Sequence, residues 1–126
     1  MAQVGIVLVS HSEKVASGIK DILEQAVGEV NVKAAGGMEG EIGTSLEKIQ
    51  EALQNISTSE GALIFYDLGS AKMNAEAAIE MLELDNVHVV EAPILEGAYL
   101  AAVEASIGKS VQEILESIKK EFPEKG

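Results

Sequence analysis

"VGIVLVSHSEKVASG", residues 4–18, decides how the rest of the chain is read. From Val4 to Val9 every residue is apolar or glycine, and most are β-branched. A run with no alternating polar positions reads as a strand buried on both faces, as in a parallel sheet. It stops at Ser10-His11-Ser12. Val15, Ile19, Ile22, Leu23, Ala26 and Val27 then recur at helical spacing, and Gly28 closes the helix. One of the chain's two histidines therefore sits on a strand-to-helix junction.

The alternation continues to the end of the chain. Val30 to Ala35 reads as a second strand that ends at Gly36-Gly37. "GTSLEKIQEALQNI", residues 43–56, is a helix with Leu46, Ile49, Leu53 and Ile56 on its apolar face and Thr44 or Ser45 as N-cap. If Thr44 caps, Glu47 completes a capping box. Gly61 to Tyr66 is a third strand ending at Asp67, followed by a helix over Ala71 to Leu84 with Met73, Ala77, Met81 and Leu82 read as core. Val87 to Val90 is a short fourth strand that ends near Pro93. From about Gly97 the pattern is helical, with a break at Gly108, a new start at Ser110 and a tail, "EFPEKG", expected to fray. No repeat, linker or low-complexity stretch interrupts residues 1–126, so one domain is expected.

Strands alternating with helices of this length imply βαβ units and an α/β fold. Right-handed crossovers place helices on both faces of the sheet. The expected architecture is three-layer αβα, with a doubly wound four-stranded parallel sheet in the order 2-1-3-4. In that order the first and third strands are neighbours whose chains leave in opposite directions, and a crevice opens at their carboxyl ends. His11, Gly36-Gly37, Asp67 with Gly69-Ser70, and Pro93 with Glu96-Gly97 all fall on that edge, and His11 comes beside Asp67.

Composition narrows the chemistry. Net charge is −12, with nine lysines and no arginine. Such a surface repels nucleic acid and anionic lipid, and it lacks the guanidinium fork suited to phosphates. No apolar run approaches the roughly 20 residues that cross a bilayer. Without a secretory signal pattern, and without cysteine for disulfides or thiolate metal sites, the chain suits the cytoplasm. There is no GxxxxGK[ST] and no glycine-rich dinucleotide fingerprint after the first strand. A response-regulator receiver would want an acidic pair where Ser10-His11-Ser12 stands. The two histidines lack the spacing of a metal site.

An imidazole, a carboxylate and Gly/Ser turns at helix starts suit phosphoryl transfer. A free imidazole has a pKa of about 6.5, so the neutral nucleophile is abundant near pH 7. Asp67 would hold Nδ1–H and leave Nε2 to attack, and helix N-termini would favour the anion formed there. Each piece also has a plainer role open to it. His11 and Asp67 can be helix caps, Ser10 or Ser12 can cap the first helix, and Gly36-Gly37 and Gly40-Glu41 can be simple turns. His88, inside the fourth strand between Val87 and Val89, reads as structural.

"GIVLVSHS", "GG" followed by "GEIGTS", "FYDLGSAKMN" and "EAPILEGAYLAA" occur in this order over nearly the whole chain. Together they resemble the mannose-type enzyme IIA domains of the sugar phosphotransferase system (PTS). Within these they most resemble the phosphotransferase subunits of bacterial phosphoenolpyruvate-dependent dihydroxyacetone kinases. The resemblance implies a parallel doubly wound sheet and a homodimer. It implies that His11 is phosphorylated at Nε2 by the phosphocarrier HPr, and that Asp67 orients and stabilises it. The phosphoryl group would then pass to ADP held on the DhaL subunit, whose ATP phosphorylates dihydroxyacetone held by DhaK, so no cofactor is bound directly. Ser12, Gly37, Gly43, Thr44, Ser45, Gly69 and Ser70 fall in the loops expected around the phosphoryl group.

A chain of this length lacks the HPr-like and enzyme I-like extensions of some such subunits, so a separate HPr is expected. Transporter IIA domains usually carry a double glycine soon after the aspartate and a linker to a IIB domain. "DLGSAKMN" has one glycine and no linker follows, which favours the kinase subunit over the transporter. A non-catalytic domain that binds an acidic ligand in the crevice is the remaining alternative. Tyr99, Leu100, Val103 and Ile107 are candidates for the dimer interface.

Overall fold

The computed structural model describes residues 3–56 and 60–123. The elements are β1 (Gly5–Ser10), α1 (Glu13–Val27), β2 (Val32–Gly36), α2 (Leu46–Asn55), β3 (Ala62–Tyr66), α3 (Gly69–Met81), β4 (Val87–Val89), α4 (Ile94–Ser106) and α5 (Val111–Glu121). The strands form one parallel sheet in the order β2-β1-β3-β4, as expected. Of the tail expected to fray, residues 124–126 lie outside the described residues, and α5 continues to Glu121. Among the described residues no helix is long and apolar enough to cross a membrane.

The uninterrupted apolar run of β1 follows from its central place. Ile6 and Leu8 join Ile19 and Leu23 of α1, the Ala98-Ala101-Ala102-Ala105 stripe of α4, and Ile114 and Ile118 of α5. Val7 and Val9, pointing the other way, join Ile49 and Leu53 of α2 and Ala71, Ala75 and Ala78 of α3. Both faces of the strand are thus buried, with Val7, Leu8 and Val9 fully excluded from solvent.

Several expectations are corrected. In α3 the inward stripe is Ala71, Ala75 and Ala78, with Leu82 half-buried beyond it. Met73 and Met81 are exposed rather than core. At 3.6 residues per turn, Met73 lies about 200° round the helix from Ala71. The Met81 sulfur accepts from Gln50 Nε2 of α2 at 3.7 Å. Small alanines on the sheet side let α3 sit close to the strands, and that closeness leaves no room for a methionine stripe. On α1, Val15 and Ile22 keep the helical spacing but remain about half exposed, the core being met by Ala16, Ile19 and Leu23. Helix α3 starts and ends earlier than expected, and α4 starts directly after Pro93.

Caps explain the element starts. Ser12 Oγ accepts from Val15 N at 3.2 Å at the head of α1. Ser45, not Thr44, caps α2 by accepting from Lys48 N at 3.3 Å, so no capping box forms there. The capping box lies instead at α5, between Ser110 and Glu113. Gly28 ends α1 at φ 96° and Gly108 separates α4 from α5 at φ 86°.

At the carboxyl edge the end of β2 lies against the start of α1. A Cβ added to Gly36 would meet Ser12 O at 2.6 Å and Glu13 Cα at 2.9 Å. Both neighbours are backbone, so the contact cannot be relieved by a rotamer change. Gly36→Ala is therefore expected to cost about 1–3 kcal/mol of stability, measured by denaturant unfolding. An unchanged unfolding midpoint would show that the two elements are free to part.

Candidate active site

The register between β1 and β3 pairs Val9 with Tyr66, so Ser10 and His11 leave one strand beside Asp67 leaving the other. Four donors converge on the Asp67 carboxylate. Oδ2 accepts from the His11 backbone N–H at 3.0 Å and from the buried Ser10 hydroxyl at 2.8 Å. Oδ1 accepts from Leu68 N at 2.7 Å and faces His11 Nδ1 at 3.0 Å. Burial works against the charged carboxylate. The hydrogen bonds from the backbone and ring of His11, from Ser10 and from Leu68 outweigh it and hold the Asp67 carboxyl below its ordinary value.

That charge settles which ring nitrogen carries the proton. An ionised carboxylate only accepts, so the nitrogen facing it must donate, and Nδ1 bears the hydrogen. In the neutral ring Nε2 then holds the lone pair. Ser70 Oγ lies 2.7 Å from Nε2 and is the donor there. The His11 side chain is 19% exposed and that of Asp67 22%, so a large partner can reach the ring edge while most of the pair is packed. The arrangement presents a nitrogen lone pair, fixed in direction, at the start of α3.

The plainer roles fall differently among the residues. Asp67 does not cap α3, whose N-cap is Leu68 with no side-chain bond. Ser12 does cap α1, while Ser10 supports Asp67 and accepts from Ser12 N at 3.0 Å. Gly37 and Gly43 spend their N–H groups on Ser10 O at 3.2 Å and His11 O at 2.8 Å. They shape the loops around the imidazole, and neither N–H is free for an anion. Gly43 does so at φ 145°, a conformation suited to glycine. The Ser45 hydroxyl accepts at the head of α2. Gly69 and Ser70 open α3, where the first N–H groups have no intrahelical acceptor. A Cβ at Gly69 would meet nothing within 4 Å, so the space before this helix start is open. His88 pairs in register with Leu63, well below the strand ends, and its Nε2 faces Asn86 Oδ1 at 3.3 Å.

Three features escaped the sequence reading. Asn74 Nδ2 donates to Thr44 Oγ1 at 2.6 Å, tying α3 to the loop between β2 and α2. Its position four residues after Ser70, on the same helix face, was the available signal. Lys72 Nζ meets Glu91 Oε1 at 2.5 Å, and burial together with the nearby Glu91 carboxylate raises the Tyr66 hydroxyl above its ordinary value. Exposed apolar side chains also lie on the segments that carry the site: Met38 and Ile42 on the β2–α2 loop, Leu68 beside Asp67, and Met73 in α3, three residues after Ser70. Ile42 is 77% exposed and Met73 70%. Among the described residues no group of three or more His, Asp or Glu side chains is placed to hold a metal ion.

Comparison with known proteins gives this geometry a family. The model of the EIIA-man family, described as the PTS system fructose IIA component, matches residues 5–115. The phosphotransferase subunit DhaM of a PTS-dependent dihydroxyacetone kinase from Lactococcus lactis subsp. lactis is 37% identical over 122 residues, 96% of this chain and 98% of that one. The phosphoryl donor subunit DhaM of dihydroxyacetone kinase 1 from Listeria innocua is 40% identical over 116 residues, covering 91% and 92%. A crystal structure of a protein of unknown function superposes with a TM-score of 0.83 at 32% identity, covering 95% of each chain. The mannose/sorbose-specific IIA subunit from Enterococcus faecalis shares the fold, with a TM-score of 0.60 at 20% identity over 94% and 89% of the chains. The chain belongs to the EIIA-man family of phosphotransferase-system components.

Proposed function

We propose that the protein is the phosphohistidine carrier of a phosphoenolpyruvate-dependent dihydroxyacetone kinase. It takes a phosphoryl group from phospho-HPr onto His11 Nε2 and passes it to ADP bound on a DhaL subunit, within a cytoplasmic DhaK-DhaL-DhaM system. The observation that carries this reading is the ring held at Nδ1 by Asp67 with Nε2 directed to the start of α3. The names of the relatives supply the substrate system. The transporter alternative draws on the family's description as a PTS fructose IIA component and on structures that share the fold at low identity, whereas the relatives at 37% and 40% identity are dihydroxyacetone kinase subunits.

The chemistry is balanced by two in-line displacements. In the first, the Nε2 lone pair attacks phosphorus as the N–P bond to the donor imidazole breaks. In the second, a β-phosphate oxygen of ADP attacks and the P–Nε2 bond breaks, which returns the neutral ring. The ring gains positive character while phosphorylated, and the ionised Asp67 beside Nδ1–H stabilises it. The N–H groups opening α3 and the Ser70 hydroxyl meet the phosphoryl oxygens. Positioning and charge therefore supply most of the rate.

The surface around the ring suits a protein-borne donor. Met38, Ile42, Leu68 and Met73 are exposed apolar side chains on the segments that carry the site. The net charge of −12 favours partners that present basic patches. Tyr99 and Ile107, exposed on and just after α4, remain for the subunit contact of a homodimer, whereas Leu100 is half-buried against the core.

Four outcomes test the reading. Incubation with phosphoenolpyruvate, enzyme I and HPr should add the mass of one phosphoryl group, and His11→Ala should abolish the gain while the circular dichroism stays native. A gain that persists in His11→Ala overturns the assignment. Asp67→Asn should slow transfer by at least tenfold, because the amide cannot stabilise the phosphorylated ring. Because its folded-state carboxyl lies below the ordinary value, Asp67 contributes stability fully above the unfolded carboxylate range and loses it as pH falls through the lowered value. The stability gap between wild type and Asp67→Asn should accordingly be widest near neutrality and close on acidification; a gap that widens in acid contradicts the hydrogen-bond account. Transfer from phospho-HPr should also slow as salt rises, measured by quenched flow, and rates independent of salt would remove the charge argument.

A further inference from the structure

We infer that Asn74 is a positioning residue for phosphoryl transfer, acting through the Thr44 hydroxyl. The inference rests on the reading of His11 as phosphoryl acceptor. Thr44 is buried at 9% exposure, lies next to the Gly43 that bonds His11 O, and has one side-chain partner among the described residues, Asn74 Nδ2 at 2.6 Å. Asn74 donates into a lone pair of Oγ1. The hydroxyl's own proton therefore remains unspent, a costly state for a buried hydroxyl unless an acceptor arrives.

The site supplies that acceptor when it is loaded. Ser70 and Asn74 are four residues apart on α3, and such side chains lie about 5–6 Å apart at Cβ. Ser70 reaches Nε2 itself, and Asn74 reaches the hydroxyl on the opposite loop. On this inference a phosphoryl group on Nε2 lies between these two side chains, within reach of the Thr44 hydroxyl. One helix face thus sets two donors, Ser70 directly and Thr44 at second hand. The Thr44 cap role is taken over by Ser45, which leaves Thr44 free for this one. Asn74 also ties α3 to the β2–α2 loop, so its loss disturbs the approach of the phosphoryl group more than the packing of the core.

The test uses single-turnover loading of His11 by potassium phosphoramidate, with phospho-HPr in parallel, in wild type, Asn74→Ala, Thr44→Val, Thr44→Ser and the Asn74→Ala/Thr44→Val double variant. Loss of one donor to a charged acceptor should slow loading roughly tenfold or more in Asn74→Ala and Thr44→Val with both reagents. Thr44→Ser should stay near wild type, and the double variant should be no slower than Thr44→Val. Wild-type rates in both single variants, or fully multiplicative losses in the double variant, overturn the inference and leave the carrier function standing. If wild type is loaded by phosphoramidate but not by phospho-HPr, the proposed function fails and the role of Asn74 is still measured. If neither reagent loads His11, both fall.

Discussion

A single carboxylate organises the carboxyl edge of the sheet. Asp67 ends β3, yet its bonds run to Ser10 and His11 at the end of β1 and to Leu68 at the head of α3. In a parallel sheet nothing else holds two neighbouring strand ends together once their chains diverge to opposite faces. The three bonds that fasten the strand ends, with the one from Leu68, keep the carboxyl ionised against the cost of burial. The ionised oxygen then dictates the imidazole's tautomer. Structure and reactivity rest on one group, and neither can be altered without the other.

The outer parts of the site are arranged around that centre by backbone. Gly37 and Gly43 carry their N–H groups to carbonyls of Ser10 and His11, so the β2–α2 loop is hung from the very residues it surrounds. Gly36 allows the loop to begin against α1, where any side chain would meet the main chain of Ser12 and Glu13. From the other side α3 arrives through Gly69 with open space before it. With the Gly37 and Gly43 N–H groups spent, the donors that the proposed phosphoryl chemistry would draw on are those at the start of α3 and the hydroxyls, in a chain that has no arginine.

Much of this was legible in the sequence, for identifiable reasons. The run Val4 to Val9 has no polar face, which only a strand covered on both sides can satisfy, and the strand order follows from the crossovers. The His11–Asp67 encounter follows from that order alone, because both residues end neighbouring strands. What failed depended on the exact rotation and neighbours of helices. Met73 and Met81 look as apolar as Leu82 in a list of residues, but only the alanine stripe fits the narrow gap over β1 and β3, with Leu82 half-buried beyond it. The choice between Thr44 and Ser45 as cap was undecidable from composition, since both residue types cap well. It was decided by Asn74, a residue thirty positions away that claims the Thr44 hydroxyl. The exposed apolar residues of this edge escaped for a related reason: Met38, Ile42, Leu68 and Met73 come from separate segments, and which apolar side chains stay exposed is decided only by how those segments pack.

The central claim is that Asp67 fixes the His11 ring with its proton on Nδ1 and an unprotonated Nε2 turned outward. Ring nitrogen-15 chemical shifts of His11 report this directly, above the pH at which the ring is neutral. The account predicts a protonated Nδ1 and a bare Nε2 in the native protein. A ring that carries its proton on Nε2 while Asp67 remains ionised would contradict it.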